Sequence, residues 1–167
     1  EYGLYNTVSS VISMLSILSL GFNSSYVRYF AKYKKADDSG SIYKLNGLFL
    51  IIFLVIGAVA LACGLFLTEN LNLVFKDGLT SDEYGTARIL MLLLTINLAV
   101  SFPMSVFSNI ISAHEKFIFL KALGTLKTVV SPLVTLPLLL MGYKSIAMVS
   151  VTVAIAVFTD ILYVIYV

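Results

Sequence analysis

The sequence has no tryptophan, one cysteine, one histidine, three prolines and little charge. Asp, Glu, Lys and Arg make up 12% of its 167 residues, about half of the ~25% usual in a soluble domain. So little solvating surface does not support a water-soluble globule unless most of that surface is covered, and a chain that is 59% hydrophobic points to lipid as the cover. The lone Cys63 leaves neither a disulfide framework nor a cysteine metal site. The lone His114, beside Glu115 and Lys116, leaves no histidine metal site and reads as an interfacial residue. GxSxG, HExxH, a P-loop and an acidic cluster for magnesium are all missing, so an enzyme is disfavoured and no cofactor is called for.

What the sequence does have is long runs without charge. Tyr2 to Val27, Leu45 to Thr68 and Ile89 to Ala113 contain no Asp, Glu, Lys or Arg. Each exceeds the ~20 residues that cross a ~30 Å hydrocarbon core as a helix. A fourth run, 117–142, is interrupted by Lys121 and Lys127, and a fifth, 145–167, holds Asp160. The expectation is an all-α polytopic membrane bundle with five transmembrane helices, at about 2–27, 45–68, 89–113, 117–142 and 145–167. The chain opens at Glu1 and stops at Val167 within an apolar run, which predicts a piece of a longer multi-spanning protein.

The breaks between runs alternate in basic content. Arg28, Lys32, Lys34, Lys35 and Lys44 fill the first; Lys76 and Arg88 are outnumbered in the second by Glu69, Asp77, Asp82 and Glu83. Lys116 and Lys121 mark the third, and Lys144 stands alone in the fourth. Basic residues near helix ends stay on the cytoplasmic side, so the first and third breaks are expected inside. The Asn23-Ser24-Ser25 glycosylation pattern would then lie on the inner side and is discounted. Thr80 or Ser81 is expected to cap a helix with Asp82 and Glu83 in its first turn. Gly21 and Asn23 mark a weak point just before Arg28, and the in-span prolines Pro103, Pro132 and Pro137 predict kinks.

Polar residues recur inside the spans. At ~100° per residue, Asn6, Ser9, Ser10, Ser13 and Ser16 share one side of the first span. Asn97, Ser101, Ser105, Ser108 and Ser112 fall within a narrower arc of the third. Such stripes serve close helix packing or line a hydrated cleft, and the cleft is the preferred reading. Lys127, the deepest cation, follows Lys116 by eleven residues on nearly the same face, roughly 16 Å further along. Lys127 or Lys121 pairs with Asp160, or the cations face a cavity that attracts an anion; the cavity is preferred for Lys127 and Arg28, and snorkelling for Lys121. A nucleic-acid arm is ruled out for the Arg28–Lys35 segment because it continues directly from a membrane run.

The stretch EYGLYNTVSSVISMLSILSLGFNSSYVRYFAKYKK resembles the second helix of bacterial polysaccharide flippases, of O-antigen and capsule type, in the MATE-like exporter superfamily. KLNGLFLIIFLVIG is similar to their next helix, and ISAHEKFIFLKALGTLKTVVSPLVTLPLLLMGYKSIAMV to the fourth-to-fifth helix connection and fifth helix. The resemblance covers essentially the whole chain, as helices two to six and most of the N-terminal lobe of a two-lobed transporter in the bacterial inner membrane. It implies alternating access that carries an undecaprenyl-diphosphate-type lipid-linked oligosaccharide, in contact with membrane lipids and a coupling ion and with no nucleic acid, from the cytoplasmic to the outer leaflet. On that reading Arg28, Lys127 and Lys121 form a cationic cavity, Asn6, Ser13, Asn23, Asn97, Ser101 and Ser105 line it, and Asp160 is an ion-coupling or charge-pair residue. Family members often carry an acid just before the Leu-Gly pair where Ser19 stands, which puts ion coupling through this helix in doubt. The alternatives are a lipid II or sporulation-type flippase, a MATE-type drug antiporter of the same fold, or a non-transporting assembly subunit; a drug antiporter would want more intramembrane carboxylates than Asp160.

Overall fold

A computed structural model describes residues 2–17, 21–75, 81–140 and 145–167. Every regular element in them is helical: α1 (Tyr2–Ser16), α2 (Phe22–Lys35), α3 (Ser39–Glu69), a short 3₁₀ turn (Leu71–Leu73), α4 (Ser81–Ala113), α5 (Phe117–Leu140) and α6 (Ser145–Tyr166). Four helices, α3 to α6, are long and apolar enough to cross a membrane. The chain is thus a helical, multi-pass membrane protein. Lys76 and Asp77 of the second break, Thr80, and the fourth break at Gly142 to Lys144 lie outside the described residues, as does Ser19.

The first expected span, 2–27, is not one helix. It divides into α1 and α2, with Gly21 between them at φ 87°, a left-handed backbone that side chains disfavour. At 1.5 Å per residue, the 15 residues of α1 reach about 22 Å, short of a ~30 Å core. Gly21 then starts α2: its carbonyl accepts the Ser25 amide at 3.1 Å and the Ser24 and Ser25 hydroxyls at 3.0 and 2.9 Å. Lys32, Lys34 and Lys35 fill the last turn of α2, where positive charge favours the helix C-terminus.

The two turns at the basic end share one design. In each, an acidic residue takes the left-handed position after the helix, Asp37 at φ 55° and Glu115 at φ 62°. The following amides reach back to orphan carbonyls: Asp38 to Tyr33 at 3.2 Å, and Lys116 to Ile111 at 3.2 Å. Asp38 then caps α3, accepting the Ser41 amide at 3.0 Å and its hydroxyl at 2.5 Å. These bonds, the hydroxyl first, hold the Asp38 carboxyl below the usual carboxylate range.

α4 is the hub, packing against α1, α2, α3 and α6, while α5 rests mainly on α6. Two cores form along it. At the acidic end Leu4, Val8 and Ile12 of α1 bury against Leu71, Leu90, Met91 and Val149. At the basic end Tyr26 and Phe30 of α2 bury against Phe49, Phe53, Phe102 and Val106. The Tyr26 ring meets Phe49 edge-on at 5.2 Å, and its hydroxyl donates to Asn46 Oδ1 at 2.6 Å. Thus α1 and α2 in succession travel from the acidic end to the basic one. The prolines do not interrupt α4 or α5. Thr135 donates to the Ser131 carbonyl at 2.8 Å within the proline-containing half of α5.

Candidate functional site

The two polar stripes sit on different surfaces. α1 turns its apolar positions toward α4, so Asn6, Ser9, Ser10 and Ser13 border an open groove of about 440 Å³ together with Met14 and Ile17. Two of these hydroxyls are satisfied on their own helix: Ser10 donates to the Asn6 carbonyl and Ser13 to that of Ser9, each at 2.8 Å. The exposed Asn6 amide has no such partner among the described residues. The α4 stripe is half-buried along its whole length. Ser105 and Ser108 donate to carbonyls of their own helix, at 2.6 and 2.9 Å.

Ser101 does something different: its hydroxyl donates to Asp160 Oδ2 on α6 at 3.4 Å. Lys127 on α5 attracts the same carboxylate electrostatically. One turn from Ser101, Asn97 has its side-chain oxygen enclosed without a hydrogen-bond partner. Ser101 of α4 and Asp160 of α6 thus meet, with Asn97 one turn away on α4; all three, and Lys127 of α5, are half-buried.

The other expected cations lie elsewhere. Arg28 is exposed on α2 and borders a groove of about 270 Å³ with Ser25, Tyr29 and Lys32. Lys121 is exposed on α5, in a groove of about 620 Å³ with Ser112, Thr125 and Thr128. Asn23 is exposed but engaged: its Oδ1 accepts the Asn109 amide of α4 at 2.9 Å. Arg28, Lys121 and Lys127 thus mark three places in the described residues rather than one.

Asn109 and Thr95 were missed by sequence reasoning. Asn109 is a buried amide inside a span, which is itself a signal, because such a group needs a partner in lipid. Thr95 belongs to a contact announced by Gly57, Ala60 and Gly64, the small residues that α3 buries against α4. His114 accordingly sits at the basic end, its ring 4.9 Å from that of Phe30. Lys116 lies over the Tyr166 ring at 4.9 Å, and Phe119 stacks on that ring at 3.7 Å, so the start of α5 is fastened to the end of α6. Among the described residues no group of His, Cys, Asp and Glu could hold a metal ion. No family model, curated protein or solved structure matches the chain.

Proposed function

We propose that this chain is most of one lobe of a MATE-like bacterial transporter. It would flip a lipid-diphosphate-linked oligosaccharide from the cytoplasmic to the outer leaflet by alternating access. α1 and α2 together would make the fifth crossing. The observation that carries this reading is the exposed polar face of α1, with Arg28 and Lys32 further along the same chain path. A face of hydroxyls and an amide at membrane depth needs water or a covering partner, since unsatisfied polar groups are costly in hydrocarbon. Self-bonded hydroxyls keep lone pairs for passing sugar hydroxyls without holding them tightly. At the basic end the Arg28 fork suits phosphate oxygens, and Lys32 adds a second positive charge within one turn.

An anionic substrate also agrees with the charges within the crossings. Asp160 already has an opposite charge near it, whereas Arg28 and Lys121 face open grooves. That balance suits an anion better than the cationic substrates of a drug antiporter. The test is Arg28→Gln in the full protein, with glycan export and membrane level measured together. Export should be lost at an unchanged membrane level; normal export in both this variant and Lys127→Gln would sink the cationic-site reading.

A further inference from the structure

The groove of about 620 Å³ runs between the end of α4, at Ser112, and the first half of α5. Its α5 wall is a single stripe: Phe117, Lys121, Gly124, Thr125 and Thr128 fall within about 100° of arc. Phe119, on the opposite side of the same turn, is the residue stacked on Tyr166 of α6. The contact that fastens α5 therefore leaves Lys121, Thr125 and Thr128 exposed. At Gly124 an added Cβ would meet nothing within 4 Å, so the groove is open above it.

The groove carries positive charge without an answer to it. Lys121 lines it and no acidic side chain does. The crossing begins at Phe117, so Lys121 stands one turn in, where a lysine stem lies along apolar surface and its ammonium reaches the headgroups. Two hydroxyls beside it are uncommitted as well. Ser105, Ser108 and Thr128 each donate to a carbonyl of their own helix, whereas the side chains of Ser112 and Thr125 have no acceptor among the described residues.

The flanks are apolar. Leu120 and Val129 border the stripe on either side, and beyond Val129 lie Ile118 and Leu133, 88% and 63% exposed. Such a side suits acyl chains, so a molecule held here has hydrocarbon next to its charged end. A cation and free hydroxyls at headgroup depth, continuous with an apolar flank, match a phospholipid: phosphate oxygens accept hydrogen bonds and an acyl chain follows the flank. Basic pockets between membrane helices hold anionic headgroups in this way.

We propose that this groove holds an anionic phospholipid from the leaflet at the basic end, with its phosphate on Lys121 and the Ser112 and Thr125 hydroxyls as further donors. A zwitterionic lipid brings its own cation and gains less from Lys121. The inference goes beyond the transport reading and does not rest on it: Lys121 has an occupant of its own, and the separate groove at Arg28 is left to the substrate.

The experiment is native mass spectrometry of the full protein in detergent, titrated with phosphatidylglycerol. Phosphatidylcholine is the zwitterionic control and inorganic phosphate the free anion. Wild type should prefer phosphatidylglycerol, and inorganic phosphate should not displace it. Lys121→Gln should weaken phosphatidylglycerol roughly fivefold with phosphatidylcholine unchanged, while Lys121→Arg keeps the preference. Gly124→Leu fills the groove with the charge intact, at a helical position where leucine is favoured over glycine, and should lose the preference too. A wild type that binds the two phospholipids alike, or a preference that survives both Lys121→Gln and Gly124→Leu, overturns the proposal. Displacement by inorganic phosphate overturns it in favour of a free-anion site. Farnesyl diphosphate separates it from the transport reading. Binding of that probe weakened by Arg28→Gln and not by Lys121→Gln leaves both standing. A probe that displaces phosphatidylglycerol and is weakened by Lys121→Gln gives the groove to the transported lipid and overturns the inference alone.

Discussion

Against α3, α4 is packed by taking side chains away; against α6, it is packed by leaving polar ones in. On the first face Gly57, Ala60 and Gly64 let the two backbones close together. A Cβ at Gly57 would stand 2.8 Å from the Ala99 carbonyl oxygen. That carbonyl is the one Pro103 leaves without its helical N–H partner, so the gap in α4 hydrogen bonding is turned toward the one residue type that can approach it. At Gly64 a Cβ would overlap the Thr95 side chain. On the second face Ser101 of α4 and Asp160 of α6 meet through a 3.4 Å hydrogen bond. In lipid there is no hydrophobic drive to hold helices together, so close approach and polar contacts carry the work. The lesson is a division within one helix: the small-residue face fixes geometry, and the polar face is joined by a single long hydrogen bond.

The severest way to break the comparison is to fill the close face. Gly64→Val should destabilise the protein by about 3 kcal/mol, read as an early loss of folded protein on heating in detergent; a wild-type midpoint would mean that the α3–α4 contact is looser than described. A middle case is the amide bridge between α2 and α4. Asn109→Leu removes the donor to Asn23 Oδ1 and with it the bridge, and should cost about 1 kcal/mol, again by thermal unfolding, with Asn23→Leu in the same background adding little further loss. The polar face should be the most forgiving: Ser101→Ala removes one long hydrogen bond and should cost no more than about 0.6 kcal/mol. A loss as large as that of the glycine variant would erase the distinction between the faces.

The smallest effect lies outside both faces and serves as their reference. Ser41 holds the Asp38 carboxyl below its usual range, so the folded chain binds that proton more weakly than the unfolded one. The cap therefore contributes fully above the ordinary carboxylate range and fades as pH falls through the lowered value. Amide exchange at Ser41 should accelerate there in wild type, while Asp38→Asn, which caps without titrating, should lack that step. Equal pH profiles would remove Asp38 from the cap.

How much of this was legible in the residues differs by level. Uncharged runs located α5, α6 and the C-terminal ends of α3 and α4 within two residues, because the hydrocarbon thickness sets the length of the apolar part. However, α3 and α4 begin six and eight residues earlier, in stretches that carry charge. The break at Gly21 was foreseen, since glycine before a charged turn is a weak point in a helix, whereas Asn23 proved to be a bonding residue inside α2. Periodicity also placed each polar stripe on a single arc. It could not say which neighbour an arc faces, because that depends on packing between helices. Thus Ser13 and Ser105 share a composition but sit in different settings, one beside an open groove and one half-buried. The meeting of Ser101 with Asp160, 59 residues apart, is a fact of tertiary packing.

The left-handed Gly21 also uncouples angles. In an unbroken helix Ser13 and Arg28, fifteen residues apart, would be locked at a fixed rotation of about 60° about one axis. With the joint between them, the azimuth of the serine face and that of the arginine are set separately, one by the acidic-end core and the other by the aromatic core. The two halves of this segment can therefore be tuned as independent dials, and glycine at position 21 is what keeps them from turning as one.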